Sequence, residues 1–294
     1  MVDALIVSQA VVNGILLGCL FAAMGAGFSL MFGVLRVFNL VYGDQVVLGS
    51  YVAYWLMTLY GVSFPVAFAV AVGVGIASGA VLYYTIIKWM LQAPVFNQIV
   101  ITFGALILVE NVFALLWDPT PRTFTSPLSL ESVAFGPFTV SLVRLLVGVG
   151  GVILIAALYL FLTRTKYGQA VYATSINEQA SLVVGIRTER VKSVAFVLGS
   201  AMAGAAGAMT LFVMSFGPFS GLDFLITVLV AVILGGMGSI VGTLVGGILL
   251  GVVVNVGNIF VPGALTPWLE FGLLIVVLAV RPTGIMGIRG LEEV

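Results

Sequence analysis

The chain has 294 residues, 62% of them apolar and 7% charged, a formal net charge of zero and a mean hydropathy of +1.26. A soluble domain carries about a quarter charged residues, so a fold of this size has too few polar groups to cover its apolar surface in water, and lipid is the solvent that fits. The balanced charge gives no global attraction to nucleic acid, and the absence of histidine speaks against serine–histidine hydrolysis and zinc- or haem-based chemistry.

In chain order, apolar runs cover residues 5–34, 45–60, 64–87, 97–117, 140–162, 193–214, 223–235, 240–261 and 267–281. A helical span needs about 20 residues. The first run exceeds that, whereas 45–60 and 223–235 fall short of it. The expectation is an all-α integral membrane bundle of eight to ten segments, some broken or short, forming one domain over 1–294. Residues 1–10 show no basic region ahead of the hydrophobic run, which predicts an uncleaved signal anchor. Cys19 stands alone inside the first run and reads as a small buried hydrophobe. Small residues recur four apart at Gly14/Gly18, Gly75/Gly79, Gly199/Ala203/Gly207, Gly242/Gly246 and Gly247/Gly251. That spacing lets helix backbones approach closely in lipid, where the hydrophobic effect no longer drives helices together.

Residues 38–51, FNLVYGDQVVLGSY, gather Asn39, Tyr42, Asp44 and Gln45 around Gly43. Irregular backbone survives at membrane depth only where protein or a water-filled cavity supplies its hydrogen bonds. Two structures satisfy that rule: a broken helix lining a polar pathway with Asp44 near its mouth, or a cytoplasmic turn after Arg36. Thr102, Glu110, Asn111, Arg144, Asn255, Asn258 and Glu270 are isolated polar residues in or beside apolar runs. Glu110, Arg144 and Glu270 fall towards run ends, within expected reach of water.

The 118–139 stretch contains Pro119, Pro121, Pro127 and Pro137 with a single base, Arg122, and suits an irregular extracytoplasmic loop. Five of the eleven basic residues, Arg164, Lys166, Arg187, Arg190 and Lys192, fall within 163–192. The positive-inside rule puts that stretch in the cytoplasm. Lys88, Arg281 and Arg289 land on the same side, so the C-terminus is expected there and, with nine segments, the N-terminus outside. Within 163–192, Ser175 or Asn177 can cap a short helix from Glu178 to Val183. Gly185 can end that helix in the left-handed conformation, and Thr188 can cap the next one. Such a helix, exposing small and apolar residues, is either a docking site for a partner or an element lying on the membrane interface.

Residues 216–245, FGPFSGLDFLITVLVAVILGGMGSIVGTLV, contain a segment from Asp223 to Leu234 too short for a full crossing, then a break at Gly235, Gly236 and Gly238. Short, glycine-interrupted apolar segments point to a translocation path. The fragments VLGSYVA (47–53) and GMGSIVG (236–242) look alike, too briefly to establish an internal duplication. Pathway candidates are therefore Asn39, Tyr42, Gly43, Asp44, Gln45, Asp223, Gly235, Gly236 and Gly238.

NEQASLVVGI (177–186) resembles the E-A-A…G coupling loop of bacterial ABC importer permeases, with Glu178, Ala180, Gly185 and Ile186 on the expected types and Leu182 among them. FNLVYGDQVVLGSYVA (38–53), AFVLGSAMAGAAGAM (195–209), VLGGMGSIVGTLVGGILLG (233–251) and RPTGIMG (281–287) resemble the branched-chain amino acid permease family. Tyr42 stands where that family usually has histidine, and Asp44 where it usually has glutamate. The resemblance runs from about residue 13 to residue 287 and implies a membrane subunit of a type II-like ABC importer in the bacterial inner membrane. Its implied partners are a second permease subunit, two cytoplasmic ATP-binding subunits that use ATP and magnesium, and an extracytoplasmic binding protein. It implies no catalytic residue, metal or cofactor in this chain. Independently, no lysine follows a glycine, so the chain has no G-x4-G-K-[ST] phosphate loop. A urea permease branch, an ion-coupled secondary transporter and a passive channel are the competing assignments.

Overall fold

In lipid a chain must close its backbone hydrogen bonds within itself, and every one of the apolar runs is helical in the computed structural model, which describes residues 4–126, 131–135, 138–281 and 283–286. Helix α1 (Ala4–Leu35) is followed by α2 (Tyr42–Tyr60) and α3 (Phe64–Leu82). A π turn at Tyr83–Ile87 carries α3 into α4 (Lys88–Met90). Then come α5 (Val95–Trp117), strands β1 (Ser132–Phe135) and β2 (Phe138–Ser141), and α6 (Leu142–Arg164). The remainder is α7 (Lys166–Ile176), α8 (Glu178–Val183), α9 (Thr188–Thr210), α10 (Gly221–Gly235), α11 (Ile240–Phe260) and α12 (Thr266–Val280). Six helices among the described residues are long and apolar enough to cross a membrane, namely Leu5–Leu35, Phe64–Met90, Val95–Trp117, Leu142–Arg164, Thr188–Thr210 and Ile240–Phe260. Helices α10 and α12 are apolar but shorter.

Glycine and alanine spacing decides which helices occupy the centre. In α1 and α9, 78% of the most apolar window is buried, against 17% in α5 at the periphery. Helices α1 and α11 run antiparallel with their backbones touching. A Cβ on Gly14 would stand 2.6 Å from Val252 Cα, and one on Gly18 2.5 Å from Ile248 Cα. From the other side, a Cβ on Gly247 would reach Ala22 N at 2.6 Å. The small-residue face of α9 accepts α3 and α2 in the same way: Gly204 faces the Ala71 carbonyl, and Gly207 faces the Val46 carbonyl while its own oxygen accepts from Ser50 Oγ at 2.8 Å. These glycines thus meet backbone, as their spacing predicts, while Gly79 faces the Ser200 side chain.

Two expectations are corrected. The 118–139 loop is not irregular throughout, because β1 and β2 form an antiparallel hairpin with Val133 opposite Val140. Val133, Phe138, Thr139 and Val140 are β-formers, a signal the prolines obscure. The Gln9 side chain clamps the hairpin to α1, donating to Thr139 O at 2.6 Å and accepting from Thr139 N at 3.0 Å. Arg122 and Phe216 exchange two backbone hydrogen bonds, tying the start of this loop to the segment before α10. Thr188 does not cap α9: Arg187 holds the cap position without a side-chain bond, and Thr188 is buried in the first turn. The fragments 47–53 and 236–242, too short to establish a duplication, also differ in structure: 47–53 lies inside α2, whereas 236–239 is a turn. Pro127, Pro137, Pro282, Gly287 and Arg289 lie outside the described residues.

Candidate functional site

Helix α1 ends where Arg36 enters the left-handed region at φ 54°, and the chain stays irregular until Tyr42. Protein covers this break. Asn39, 2% exposed, accepts from Val41 N at 3.2 Å, and Phe38 O accepts from Thr102 Oγ1 of α5 at 3.2 Å. The first turn of α2 then directs its polar residues in different directions. Tyr42 donates to Met24 O of α1 at 2.6 Å, and Gln45 Nε2 donates to Ser200 Oγ of α9 at 3.0 Å. Gly43 faces the backbone carbonyl of Gly221, the first residue of α10. Asp44 lies against Gly221 as well, 1% exposed, with neither carboxylate oxygen hydrogen-bonded. The N-termini of α2 and α10 therefore meet inside the bundle. The free N–H groups at a helix start favour negative charge nearby, which is the local reason a carboxylate is tolerated there. Asp44 belongs to this buried junction, not to an exposed mouth.

Three further carboxylates surround the first half of α10. Leu222 and Asp223 are exposed on its surface. Glu110 of α5, half-buried, faces the Leu222 amide and is within electrostatic reach of Asp44 and Asp223. Glu270 of α12, expected to reach water, is only 6% exposed and accepts from Thr227 Oγ1 at 3.2 and 3.4 Å. Sequence position misjudges it because Thr266–Val280, which follows a 3-10 turn at Gly263–Leu265, packs directly on α10; its place one full turn inside a short helix was the available signal. Thr227→Val should leave Glu270 without this donor at a cost of about 1–3 kcal/mol. It should appear as a lower thermal midpoint of the purified protein that Thr227→Ser restores.

Gly235, Gly236 and Gly238 lie at the far end of α10, a helix of 15 residues and so about 20 Å long. Gly236 and Gly238 adopt φ values of 103° and 84°, which only glycine takes without strain. The C-terminal segment docks there, with Ile285 N donating to Leu234 O at 2.8 Å and Met286 N to Gly235 O at 3.1 Å. The pathway candidates thus form two separate groups. Asp44 and Asp223 are brought together; the glycine turn is not part of that cluster.

At the basic end of the bundle, α8 is capped by the Asn177 side chain, which accepts from Ala180 N at 2.9 Å. It is closed by Gly185 at φ 84°. Ala180, Leu182, Val183 and Val184 are exposed, and Ile186 is half-buried, donating from its N–H to Ser181 O at 3.0 Å. Glu178 pairs with Lys192 of α9 at 2.6 Å. The start of α9 is tied in turn to the π turn after α3, through Tyr83 OH to Glu189 O at 3.3 Å and Ser193 Oγ to Tyr84 OH at 3.1 Å. Helix α7, which the sequence did not signal, precedes this unit and is capped by Thr165.

Residues 10–278 match the family model for the permease component of branched-chain amino acid transport systems. The high-affinity branched-chain amino acid transport system permease protein BraD of Pseudomonas aeruginosa is 29% identical, over 97% of this chain and 97% of its own length. LivH of Escherichia coli, a protein of the same description, is 26% identical over the same shares. The ribose import permease protein RbsC of Escherichia coli is 30% identical over 65% of this chain and 60% of its own length.

Proposed function

Because this chain belongs to the branched-chain amino acid permease family, we propose that it is the membrane-spanning subunit of an ATP-driven importer of branched-chain amino acids in the bacterial plasma membrane. In this reading the chain has nine membrane segments, α2, α10 and α12 being incomplete, and a cytoplasmic C-terminus; the clustering of Lys88, Arg164, Lys166, Arg187, Arg190, Lys192 and Arg281 supports it. The chain surrounds the solute pathway with a second permease subunit. Two cytoplasmic ATPases supply the nucleotide chemistry with ATP and magnesium, and an extracytoplasmic binding protein delivers the amino acid.

The observation that carries this function is α8. A six-residue helix held by a side-chain cap, an ion pair and a left-handed glycine presents Ala180, Leu182, Val183 and Val184 to the exterior. An apolar patch of this kind, at the basic end of a membrane bundle, suits a protein partner. Force applied to α8 passes through Glu178 and Lys192 to α9, which is buried at the centre of the bundle against α1, α2 and α3. Closure of the ATPases thereby biases the equilibrium between outward- and inward-facing arrangements.

The test is reconstitution of the complete complex in vesicles with a leucine-loaded binding protein. Uphill leucine uptake is expected only when hydrolysable ATP is present on the cytoplasmic side. Uptake driven by an ion gradient without nucleotide, or passive flux in both directions, would overturn the assignment.

A further inference from the structure

At the hairpin end of the bundle a cavity of about 410 Å³ opens between α1, β2, the start of α6 and the turn after α9. Asn13, Thr139, Ser141 and Arg144 supply its polar lining. The Gln9 clamp on Thr139 draws the hairpin against α1, and Asn13, one helical turn further along, comes to the same side. None of these four side chains has a hydrogen bond or ion pair among the described residues, and Ser141 leaves the cap of α6 unfilled. Local helix chemistry does not call for Arg144 either. It sits in the first turn of α6, where a positive charge opposes the helix dipole. An exposed guanidinium, three unengaged hydrogen-bonding side chains and the space between them make a seat for an anion.

This seat is one end of a longer groove. Through Val143 and Phe212 it adjoins a second cavity of about 420 Å³, whose lining is apolar apart from Ser126 and includes Met57, Phe64, Leu146 and Met209. A small recess beside Leu16, Leu17 and Val147 touches Arg144 as well. The α6 wall of the groove is peripheral: 28% of its most apolar window is buried, and Leu146, Val149, Val152 and Ile153 are exposed. A ligand that fills both cavities carries an anionic oxygen group beside a long apolar tail. The charges narrow the choice further. No acidic residue lines any of the three cavities, and Glu131, which meets the start of α6 through its carbonyl oxygen, is not among the lining residues. A zwitterionic amino acid would leave its ammonium group without a counter-charge here.

We propose that this groove holds an anionic phospholipid of the phosphatidylglycerol type, its phosphate on Arg144 and Asn13 and one acyl chain along the apolar cavity. The planar guanidinium fork matches phosphate oxygens, and the Ser141 and Thr139 hydroxyls suit the glycerol headgroup. The site lies at the end of a membrane span, where the hydrocarbon core meets the headgroup layer. The proposal requires only that the bundle resides in a bilayer and is independent of what the permease carries. In the orientation proposed above, the lipid belongs to the outer leaflet. It joins the start of α6 to the turn after α9.

The test uses the full chain, purified and delipidated in a neutral detergent, with lipid retention followed by native mass spectrometry. Phosphatidylglycerol should be held about tenfold more tightly than phosphatidylethanolamine, and Arg144→Gln should weaken it by at least about tenfold, the scale of one lost charge-assisted contact. Arg164→Gln, at the opposite end of α6, removes an exposed charge outside the groove and should change retention by less than about twofold. Leu146→Gln should weaken retention as well, because it sets a polar group along the acyl path. Arg144 and Leu146 are both exposed, so the fold should survive, as an unchanged elution profile without lipid would verify. Phosphatidylglycerol held equally by Arg144→Gln and the parent overturns the proposal, and so does phosphatidylethanolamine bound as tightly as phosphatidylglycerol. Displacement of the lipid by an equal concentration of glycerol phosphate would reveal a seat for the headgroup alone and overturn the acyl-chain assignment.

Discussion

Aspartate at Val183 is expected to reduce ATP-driven uptake by at least about a hundredfold while the permease continues to accumulate in the membrane. Val183 is 88% exposed, so the fold loses almost no packing. Helix α8 also keeps its Asn177 cap and its Gly185 terminus. In the assembled complex the same position would be enclosed by an ATPase. An unpaired charge buried in a protein interface costs about 3–5 kcal/mol, and a hundredfold loss corresponds to about 2.7 kcal/mol. Co-purification of the ATPases and stimulated ATP hydrolysis should fall together with uptake. Val183→Ala should behave much more mildly, because it trims apolar contact without importing a charge. Uptake of Val183→Asp within twofold of the parent would show that α8 does not face the motor.

Gly43→Val should sharply lower the yield and thermal midpoint of the folded protein. The new Cβ would land on the Gly221 carbonyl oxygen, with the Gly221 carbonyl carbon at 2.7 Å and Leu225 N at 3.0 Å. All three atoms are backbone, so no rotamer change relieves the clash, and the two helix starts would have to separate. Overpacking that moves backbone costs about 1–3 kcal/mol or more, and opening this junction also exposes buried Asp44 and Tyr42. Set against a typical total stability of about 5–15 kcal/mol, this is a large fraction of the margin, and the expected outcome is a lower thermal midpoint and a smaller monodisperse fraction in detergent. Gly104→Ala supplies the contrast. Nothing stands within 4 Å of its would-be Cβ, and alanine favours the helix by about 1 kcal/mol, so its thermal midpoint should hold or rise. Equal yields for both variants would remove the α2–α10 junction as a structural constraint.

These two sites differ in how far they could be seen in advance. The α8 unit is local. A cap, six helical residues and a left-handed glycine lie within nine consecutive positions, 177–185, and each acts over a few residues. Its ion pair with Lys192 is likewise close in sequence. The α2–α10 junction is not local: Gly43 and Gly221 lie in different parts of the chain, and nothing near Asp44 indicates which helix will cover it. Glu270 illustrates the same limit. Distance from the end of an apolar run is a fair guide to water access only if no neighbouring helix stands in the way, and α10 stands in the way of Glu270.

Composition alone was sufficient to require a bilayer, since so few charged residues cannot cover so much apolar surface. Each uninterrupted apolar run had then to be helical because lipid offers the backbone no other hydrogen-bond partner. Glycines four apart dictated that backbones would touch; they did not dictate that Gly14 would meet Val252 or Gly207 meet Val46. Tertiary packing made those choices, and with them it enclosed Asp44, buried Glu270 and gathered four carboxylates around one short helix. The reason is physical. Caps, turns and hydrogen-bonded helices are settled by neighbours along the chain, whereas burial of a charge is settled by which distant surfaces fit against it.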